Sequence, residues 1–391
     1  MTTAGFHDVV AAFQAPPPRR TDPRTPARVT VLGSGVEGRA LAAWFLAEGA
    51  DEVRLFTVYA KEVEALARGS ITLRGEGPIG TFRVGGDRPS IEVTSVLDTA
   101  VAASDLIVVS GPVLKQRTYG LVLAQHLLDG QVIVVAPAMT FGGLELAHWL
   151  RAGGSTAEVT IVELQSLPFD VTDEAGTVSL TRRRRVQAAV LPHGSTSTIE
   201  RVAGYLPDLD AVPTVFHSSL SDPTGLVEIP ALLLGGPAAP VDPRSIPPGA
   251  VPTTLASFAS LIGERHRHLI GALAAERRAV AAGFGVRDVP DDQTLITQVA
   301  GSPEGTGVRA VPVPLVATAL VRDAVLGSLV PLVSAADAAG VPVPATRSVI
   351  TLAETVLGGD LAAAGRSLHQ IGFGGLDAEA IRTRLATGGR P

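Results

Sequence analysis

The stretch Val29-Thr30-Val31-Leu32-Gly33-Ser34-Gly35-Val36-Glu37-Gly38 decides the fold of this chain. Four strand-forming residues lead directly into a Gly-x-Gly-x-x-Gly turn, and an apolar helix-forming segment follows from residue 40 to 46. Gly33 permits the tight turn from strand to helix, and Gly35 lets a pyrophosphate approach the backbone. Gly38 lets the helix pack closely on the sheet. The pattern predicts the first half of a βαβ unit.

A second strand-forming run at 53–56 closes this unit, which therefore has all three elements that a dinucleotide site requires. Phosphates bind at a helix N-terminus because free backbone amides and the positive end of the helix dipole lie there. We therefore predict that NAD or NADP is bound by Gly33, Ser34, Gly35, Val36, Glu37 and Gly38. The alternative is a glycine-rich turn that keeps its shape without a ligand.

The residue at the end of the second strand distinguishes NAD from NADP. In an NAD site it is Asp or Glu, which accepts hydrogen bonds from the ribose hydroxyls. Here that position holds Thr57, while Asp51 and Glu52 lie at the opposite end of the strand. Without a carboxylate a 2′-phosphate is not repelled, so the sequence slightly favours NADP. The candidate cations for that phosphate are Arg39, Arg54 and Lys61, and Tyr59 is either an adenine contact or a surface tyrosine.

Strand-like and helical segments alternate from residue 28 to about 210, which predicts a mainly parallel sheet covered on both faces. Pro112 and Pro137 end two of these strands, where they either line the cofactor crevice or stiffen its loops. Additional β-rich runs at 71–73, 81–84 and 91–93 predict an inserted or edge β element. The predicted fold class is α/β, with an N-terminal Rossmann-like dinucleotide-binding domain over residues 28–210.

The remainder, residues 211–391, is predicted to be a mainly α-helical domain for substrate binding and dimerisation. Its apolar residues repeat at helical spacing up to Gly283, and later helices are predicted from about Pro314 to Val333 and from Arg347 to Leu357. The segment 1–27 is rich in proline and arginine, so we predict a flexible tail.

Composition excludes several classes of protein. The 391 residues contain no cysteine, which excludes disulfides, thiolate metal sites and cysteine nucleophiles. A formal net charge of −6 gives no electrostatic reason to bind nucleic acid. The chain shows neither a secretory signal nor a run of about 18 apolar residues. We expect a cytoplasmic protein with no metal site and no nucleic-acid or membrane partner.

Several further motifs, in this order and spacing, resemble the octopine/nopaline (opine) dehydrogenase family. The blocks are 130–137, 140–145, Glu163-Leu164-Gln165-Ser166-Leu167-Pro168-Phe169, 219–223, 329–332, 339–344 and Gly365-Arg366-Ser367-Leu368. Members of this family reductively condense an α-keto acid with the amine of an amino acid, using NAD(P)H. The resemblance implies an NAD(P)-dependent oxidoreductase that acts on CH–NH bonds. It also places Gln165 beside the nicotinamide and the substrate, although polar packing at a strand end explains this residue equally well.

The resemblance fails at the catalytic histidine. The family has an Asn-x-x-x-His-Pro segment whose histidine pairs with an aspartate of the helical domain. Alignment from Ser219 puts Thr224 at the asparagine and Glu228 at the histidine, and the aspartate maps near Asp323 or Ala324. We predict Glu228 and Asp323 as catalytic residues, and Thr224 and Gln165 as substrate contacts. Glu228 either transfers a proton, if burial raises its pKa, or binds an amine; the alternative is an exposed residue at a helix start.

Three functional hypotheses follow. The first is an opine-dehydrogenase-like enzyme for an amino-acid-derived imine, or for a keto acid plus an amino acid, diverged in substrate or mechanism. The second is the same fold used for cyclisation, condensation or elimination in a specialised biosynthetic pathway. The third is an NAD(P)-binding protein without catalysis. The expected partner is a small amino-acid-derived molecule, with a possible homodimer through the helical domain.

Overall fold

The computed structural model describes residues 28–386 except 103, 175, 182–183, 193–195, 236–256, 302–308, 310 and 313. The expected tail 1–27 lies outside the described residues. The described strands are β1 (Arg28–Leu32), β2 (Glu52–Phe56), β3 (Ser70–Gly75), β4 (Gly80–Arg83), β5 (Ile91–Thr94), β6 (Leu106–Val109), β7 (Val132–Val135), β8 (Thr160–Leu164), β9 (Asp170–Glu174), β10 (Thr177–Thr181), β11 (Val186–Leu191) and β12 (Leu209–Ala211).

The described α-helices follow the chain in the same way. They are α1 (Val36–Ala47), α2 (Ala60–Leu66), α3 (Leu97–Val101), α4 (Val113–Leu123), α5 (Gly142–Ala152), α6 (Ser197–Ala203), α7 (Val215–Ser219), α8 (Thr224–Leu233), α9 (Glu264–Gly283), α10 (Asp292–Ala300), α11 (Pro314–Ala324), α12 (Val330–Ala339), α13 (Pro344–Leu357), α14 (Leu361–Ala364) and α15 (Ala378–Ala386). Short 3₁₀ and π-helical turns are Phe258–Leu261, Val325–Leu329 and His369–Phe373.

The main sheet has the strand order β12-β11-β8-β7-β6-β1-β2-β5. Strands β5, β2, β1, β6, β7 and β8 are parallel, whereas β11 is antiparallel to β8. The chain moves from β1 toward β5 and then returns to β6 on the other side, so a crevice opens at the carboxyl ends of β1 and β6. This arrangement confirms the α/β fold class. The described elements after β12 are helical, and the domain boundary near residue 210 stays a prediction.

The additional β-rich runs divide between two sheets. The first two form β3 and β4 in a four-stranded sheet of order β4-β3-β10-β9, and the third forms β5 at the edge of the main sheet. Trp44 of α1 stacks on Phe169 with ring centroids 5.0 Å apart. Its indole N–H donates to the Tyr205 carbonyl at 2.7 Å, so α1 is packed between the two sheets and its start is held in place.

The helix predicted from Pro314 to Val333 is interrupted by the π-helical turn Val325–Leu329. At this turn Gly327 lies against the Rossmann-like domain, because a Cβ there would be 2.5 Å from Val113 Cγ2 and 2.6 Å from Met139 Sδ. The Gly327 carbonyl also accepts a hydrogen bond of 3.0 Å from the Thr140 amide. The whole run Pro314–Ala339 is apolar and long enough to cross a membrane, yet 56% of its most apolar window is buried, as in the core helix of a soluble protein.

A buried arginine attaches the C-terminal segment to the loop after β7. Arg366 is fully buried, and its Nε donates to Glu145 Oε2 at 2.7 Å. Its Nη1 donates to the carbonyl oxygens of Ala138 and Thr140 at 3.0 and 2.6 Å. Burial alone would raise the pKa of Glu145, but Arg366 and Arg117 hold it below its usual range. The loop is therefore fixed by a charge that comes from near the end of the chain.

Replacement of Arg366 by Met is expected to lower the free energy of unfolding by about 3–5 kcal/mol, because it leaves the buried Glu145 without its main cation. Urea unfolding measures this change. The matched control is Arg347→Met, which removes an arginine from an exposed ion pair with Asp337 and should cost less than about 1 kcal/mol. Equal losses for the two variants would contradict the structural role given to Arg366.

Candidate active site

The phosphate turn has the geometry that a dinucleotide requires. Gly33 has φ of +115°, and a Cβ there would be 2.8 Å from the Ser110 carbonyl oxygen. A Cβ on Gly38 would be 1.7 Å from the Gly33 oxygen, so both positions need glycine. A Cβ on Gly35 would meet nothing within 4 Å, and no side chain caps the helix that begins after it. Open space therefore faces uncapped helix amides, and the turn fits a pyrophosphate.

The two loops that border the crevice are tied together by one buried glutamine. Gln116 Nε2 donates to the Gly111 carbonyl at 2.9 Å and to the Pro137 carbonyl at 2.7 Å. Pro112 lies between Gly111 and the first residue of α4. Both prolines are therefore at the crevice edge, as the strand ends predict, and their contact with a cofactor stays a prediction.

The residue at the end of β2 is Thr57, but the carboxylate of Glu62 from α2 lies against it. Thr57 is buried, and its hydroxyl donates to Glu62 Oε2 at 2.6 Å. The Ser34 hydroxyl of the phosphate turn donates to the same oxygen at 2.5 Å. The hydrogen bonds from Ser34 and Thr57 lower the pKa of Glu62. The sequence's slight preference for NADP depends on the absence of such a carboxylate, and the structure removes that premise.

Three carboxylates, Glu37, Glu228 and Asp323, are linked electrostatically. Burial, Asp323 and Glu228 together raise the pKa of Glu37 to about 7, with a smaller effect of Asp170. Burial also raises the pKa of Asp323 to about 6; the Val113 amide and Arg366 oppose this rise, and Glu228 adds to it. Such mutual effects require short separations between charges. The predicted residues Glu37, Glu228 and Asp323 therefore lie within electrostatic range of one another.

Glu228 is not an exposed residue at a helix start. It is 7% exposed, within α8, and its Oε1 accepts a hydrogen bond of 2.5 Å from Arg309 Nη2. The Arg309 guanidinium lies over the Phe258 ring at 4.3 Å, and its backbone carbonyl accepts a hydrogen bond from the Phe258 amide. Sequence reasoning missed Arg309, because it is 81 residues from Glu228 in a segment without helical or strand periodicity.

Asp323 joins the helical domain to the crevice. Its Oδ1 accepts a hydrogen bond of 2.8 Å from the backbone amide of Val113, the first residue of α4. Asp323 lies in the last turn of α11, directly before the π-helical turn, a helix distortion that is common at functional sites. No described residue donates a hydrogen bond to its other oxygen, Oδ2. One carboxylate oxygen thus holds the junction while the other can face a ligand.

The two predicted substrate contacts make hydrogen bonds within the protein. The buried Gln165 donates through Nε2 to the Ser221 carbonyl, and its Oε1 accepts from the Gln187 amide at 3.4 Å. The Thr224 amide donates to Asp222 Oδ1 at 3.0 Å. These contacts favour a packing role for both residues at the entry to the helical domain. Their contact with substrate stays a prediction.

Comparison with known proteins supports the resemblance found in the sequence. The chain is 28% identical to an opine dehydrogenase of Arthrobacter sp. (strain 1C) over 372 residues, which cover 91% of this chain and 98% of that enzyme. The structure matches octopine dehydrogenase with NADH and L-arginine at a TM-score of 0.68 and 19% identity, over 91% of this chain and 98% of that one.

NADP+-bound yersinopine dehydrogenase matches at a TM-score of 0.59 and 14% identity, over 94% of this chain and 99% of that one. No protein-family model matches the chain. The resemblance to opine dehydrogenases is confirmed. The bound NADH and NADP+ are those of the matched structures.

Two glycine substitutions in the turn should separate nucleotide binding from stability. Gly35→Ala should leave the unfolding free energy within about 1 kcal/mol of wild type, because the backbone there suits alanine. It should weaken NAD(P)H binding at least about tenfold, because the methyl group occupies the open space. Gly38→Ala should cost about 3 kcal/mol of stability through its clash with Gly33. Urea unfolding and nucleotide titration measure both; unimpaired binding by Gly35→Ala would contradict the phosphate assignment.

The raised pKa of Glu37 predicts a pH-dependent effect on stability. A carboxyl whose pKa is higher in the folded state than in the unfolded state stabilises the protein fully below the unfolded value, and this stabilisation is lost as pH rises through the folded value. For Glu37 the loss falls between about pH 4.5 and 7. Glu37→Gln should therefore gain about 1–3 kcal/mol over wild type between pH 5 and pH 8.

Urea unfolding of the nucleotide-free protein at the two pH values measures this gain. The exposed Glu64 supplies the matched control, Glu64→Gln, which should show no gain. If the stability difference between Glu37→Gln and wild type is the same at both pH values, Glu37 does not carry the raised pKa.

Proposed function

We propose that this chain, an NAD(P)-dependent oxidoreductase similar to opine dehydrogenases, reduces the imine formed by an α-keto acid and the amine of an amino acid. One keto acid, one amine, one reduced dinucleotide and one proton give one secondary amine, one oxidised dinucleotide and one water. When bound at the phosphate turn, the dinucleotide supplies the hydride. The observation that carries the proposal is the pairing of Arg309 with the buried Glu228, whose charge acts on Glu37 of the phosphate turn and on Asp323.

The carboxylates provide a site for a positively charged amine. The charge of Glu228 raises the pKa of both Glu37 and Asp323, and that of Asp323 raises the pKa of Glu37; a bound ammonium group relieves this repulsion. Arg309, which already donates to Glu228 through Nη2, supplies the opposite charge, and a substrate carboxylate would share its planar guanidinium with Glu228. The arrangement therefore supports a substrate pair with one cationic amine and at least one carboxylate.

Within this group the roles divide by contact. Glu228 is held by Arg309 and serves to bind and orient the amine. Asp323 has a pKa of about 6 and a carboxylate oxygen without a donor in the part of the chain that the structure describes. A group with a pKa near neutrality both accepts and returns protons at working pH. We therefore assign to Asp323 the proton transfers that form the imine and release water.

The catalytic proposal is tested with purified protein, NADH or NADPH, and panels of α-keto acids and amino acids, while absorbance and product mass are followed. Cofactor oxidation that requires both substrates is the expected result. Oxidation with the keto acid alone would identify a keto-acid reductase instead. Product without cofactor oxidation would indicate a non-redox enzyme, and binding without turnover would indicate a non-catalytic protein.

Asp323→Asn is expected to lower kcat by about 10²–10⁴-fold and to remove the limb of the pH–rate profile near pH 6, because asparagine keeps the acceptor for the Val113 amide but cannot transfer a proton. Glu228→Gln should mainly raise the KM for the amine. The matched control is Asp337→Asn, at an exposed aspartate of α12. A wild-type kcat and pH profile for Asp323→Asn would refute the proton role.

A cytoplasmic location and a homodimer through the helical domain belong to the same proposal. Exposed apolar side chains on α11 and α13, including Leu315, Val316 and Val356, support the dimer, since they would be covered by a second copy of the helical domain.

A further inference from the structure

We infer that Glu62 binds the adenosine ribose hydroxyls and makes this protein select NAD(H) over NADP(H). The inference rests on the proposed function in one respect, that a dinucleotide binds at the phosphate turn. It assigns a specificity role to a helix residue, where Rossmann folds ordinarily place that role on the last residue of the second strand.

The position of the Glu62 carboxylate is fixed from two sides. Ser34 belongs to the phosphate turn and Thr57 ends β2, and both hydroxyls donate to Glu62 Oε2. The adenosine ribose of a dinucleotide lies between these two features, because the pyrophosphate is on the turn and the ribose reaches the end of β2. No described residue donates to the second oxygen, Oε1. That oxygen is thus available to accept hydrogen bonds from ribose hydroxyls.

The negative charge of Glu62 is stabilised by its hydrogen bonds. The two hydroxyl donors favour its ionised form, so Glu62 is negative at neutral pH. A ribose with free hydroxyls offers donors to this charge, whereas a 2′-phosphate brings further negative charge and only acceptors. The site therefore favours the nucleotide without the 2′-phosphate.

Two of the three cations that the sequence offered to a 2′-phosphate are engaged elsewhere. Arg39 donates to Asp173 of the second sheet at 2.6 Å, and its charge, like that of Lys115, also helps to lower the pKa of Glu62. Arg54 pairs with Glu52 at 2.9 Å and with Glu92 at 3.1 Å. Both arginines already have carboxylate partners, so a 2′-phosphate would have to compete for them.

The remaining surroundings suit an adenosine. Val58 and Tyr59 follow Thr57 directly and are 58% and 54% exposed, so they offer an apolar and aromatic surface to the adenine ring. Lys61 and Lys115 are exposed lysines on α2 and α4. If NADPH binds as tightly as NADH, the role of Glu62 is refuted, and these lysines are the candidates for binding the 2′-phosphate.

The experiment measures dissociation constants for NADH and NADPH by nucleotide fluorescence, without substrate, so that the result does not depend on turnover. Wild type should bind NADH at least about tenfold more tightly than NADPH. Glu62→Gln keeps an acceptor for Ser34 and Thr57 but removes the charge. It should weaken NADH binding, strengthen NADPH binding and lower the ratio of the two constants about tenfold or more.

Glu64→Gln, at an exposed residue of the same helix, is the matched control and should keep the wild-type ratio. An unchanged ratio in Glu62→Gln, or equal affinities in wild type, would overturn the inference about Glu62 while leaving dinucleotide binding intact. Binding of neither nucleotide would instead overturn the proposed function and this inference with it.

Discussion

The crevice depends on one buried ion pair, between Arg366 and Glu145. Arg366 lies 221 residues from Glu145 in sequence, yet its guanidinium also binds two carbonyl oxygens of the loop after β7. The same loop is linked through Gln116 to the loop after β6. Burial of so many charges and dipoles is stable only when every partner is present. Arg366 thus holds the loop after β7 at one side of the crevice, while the phosphate turn after β1 forms its other side.

A second junction, around Glu163, joins the sheet to the segment before α8. The buried Glu163 accepts hydrogen bonds from the hydroxyls of Ser218 and Ser219 and from the Gly143 amide. Ser219 in turn accepts a hydrogen bond from the Phe141 amide at 2.8 Å. These bonds fix the segment that leads into α8, the helix that carries Glu228. The position of Glu228 therefore depends on contacts between segments far apart in sequence.

The features that the sequence predicted correctly are those that depend on local steric constraints. The glycine turn and the parallel strands depend on neighbouring residues, so the α/β fold follows from residues such as Gly33 and Gly38. Glu62, Arg309 and the π-helical turn depend on contacts between segments far apart in sequence. A threonine at a strand end followed by a glutamate in the next helix was the one local signal for Glu62. Arg309 offered no comparable signal, because nothing near it in sequence marks its partner.

Asp323 has a consequence for how the two domains hold together. Its hydrogen bond with the Val113 amide stabilises the ionised carboxylate, as the opposing effect on its pKa shows. Thermodynamic reciprocity requires that ionisation strengthen the same bond by an equal free energy. Protonation of Asp323 therefore weakens its hydrogen bond with the Val113 amide of α4, and loss of the proton strengthens that bond. The ionisation state of Asp323 and the strength of the contact between α11 and α4 are thus coupled.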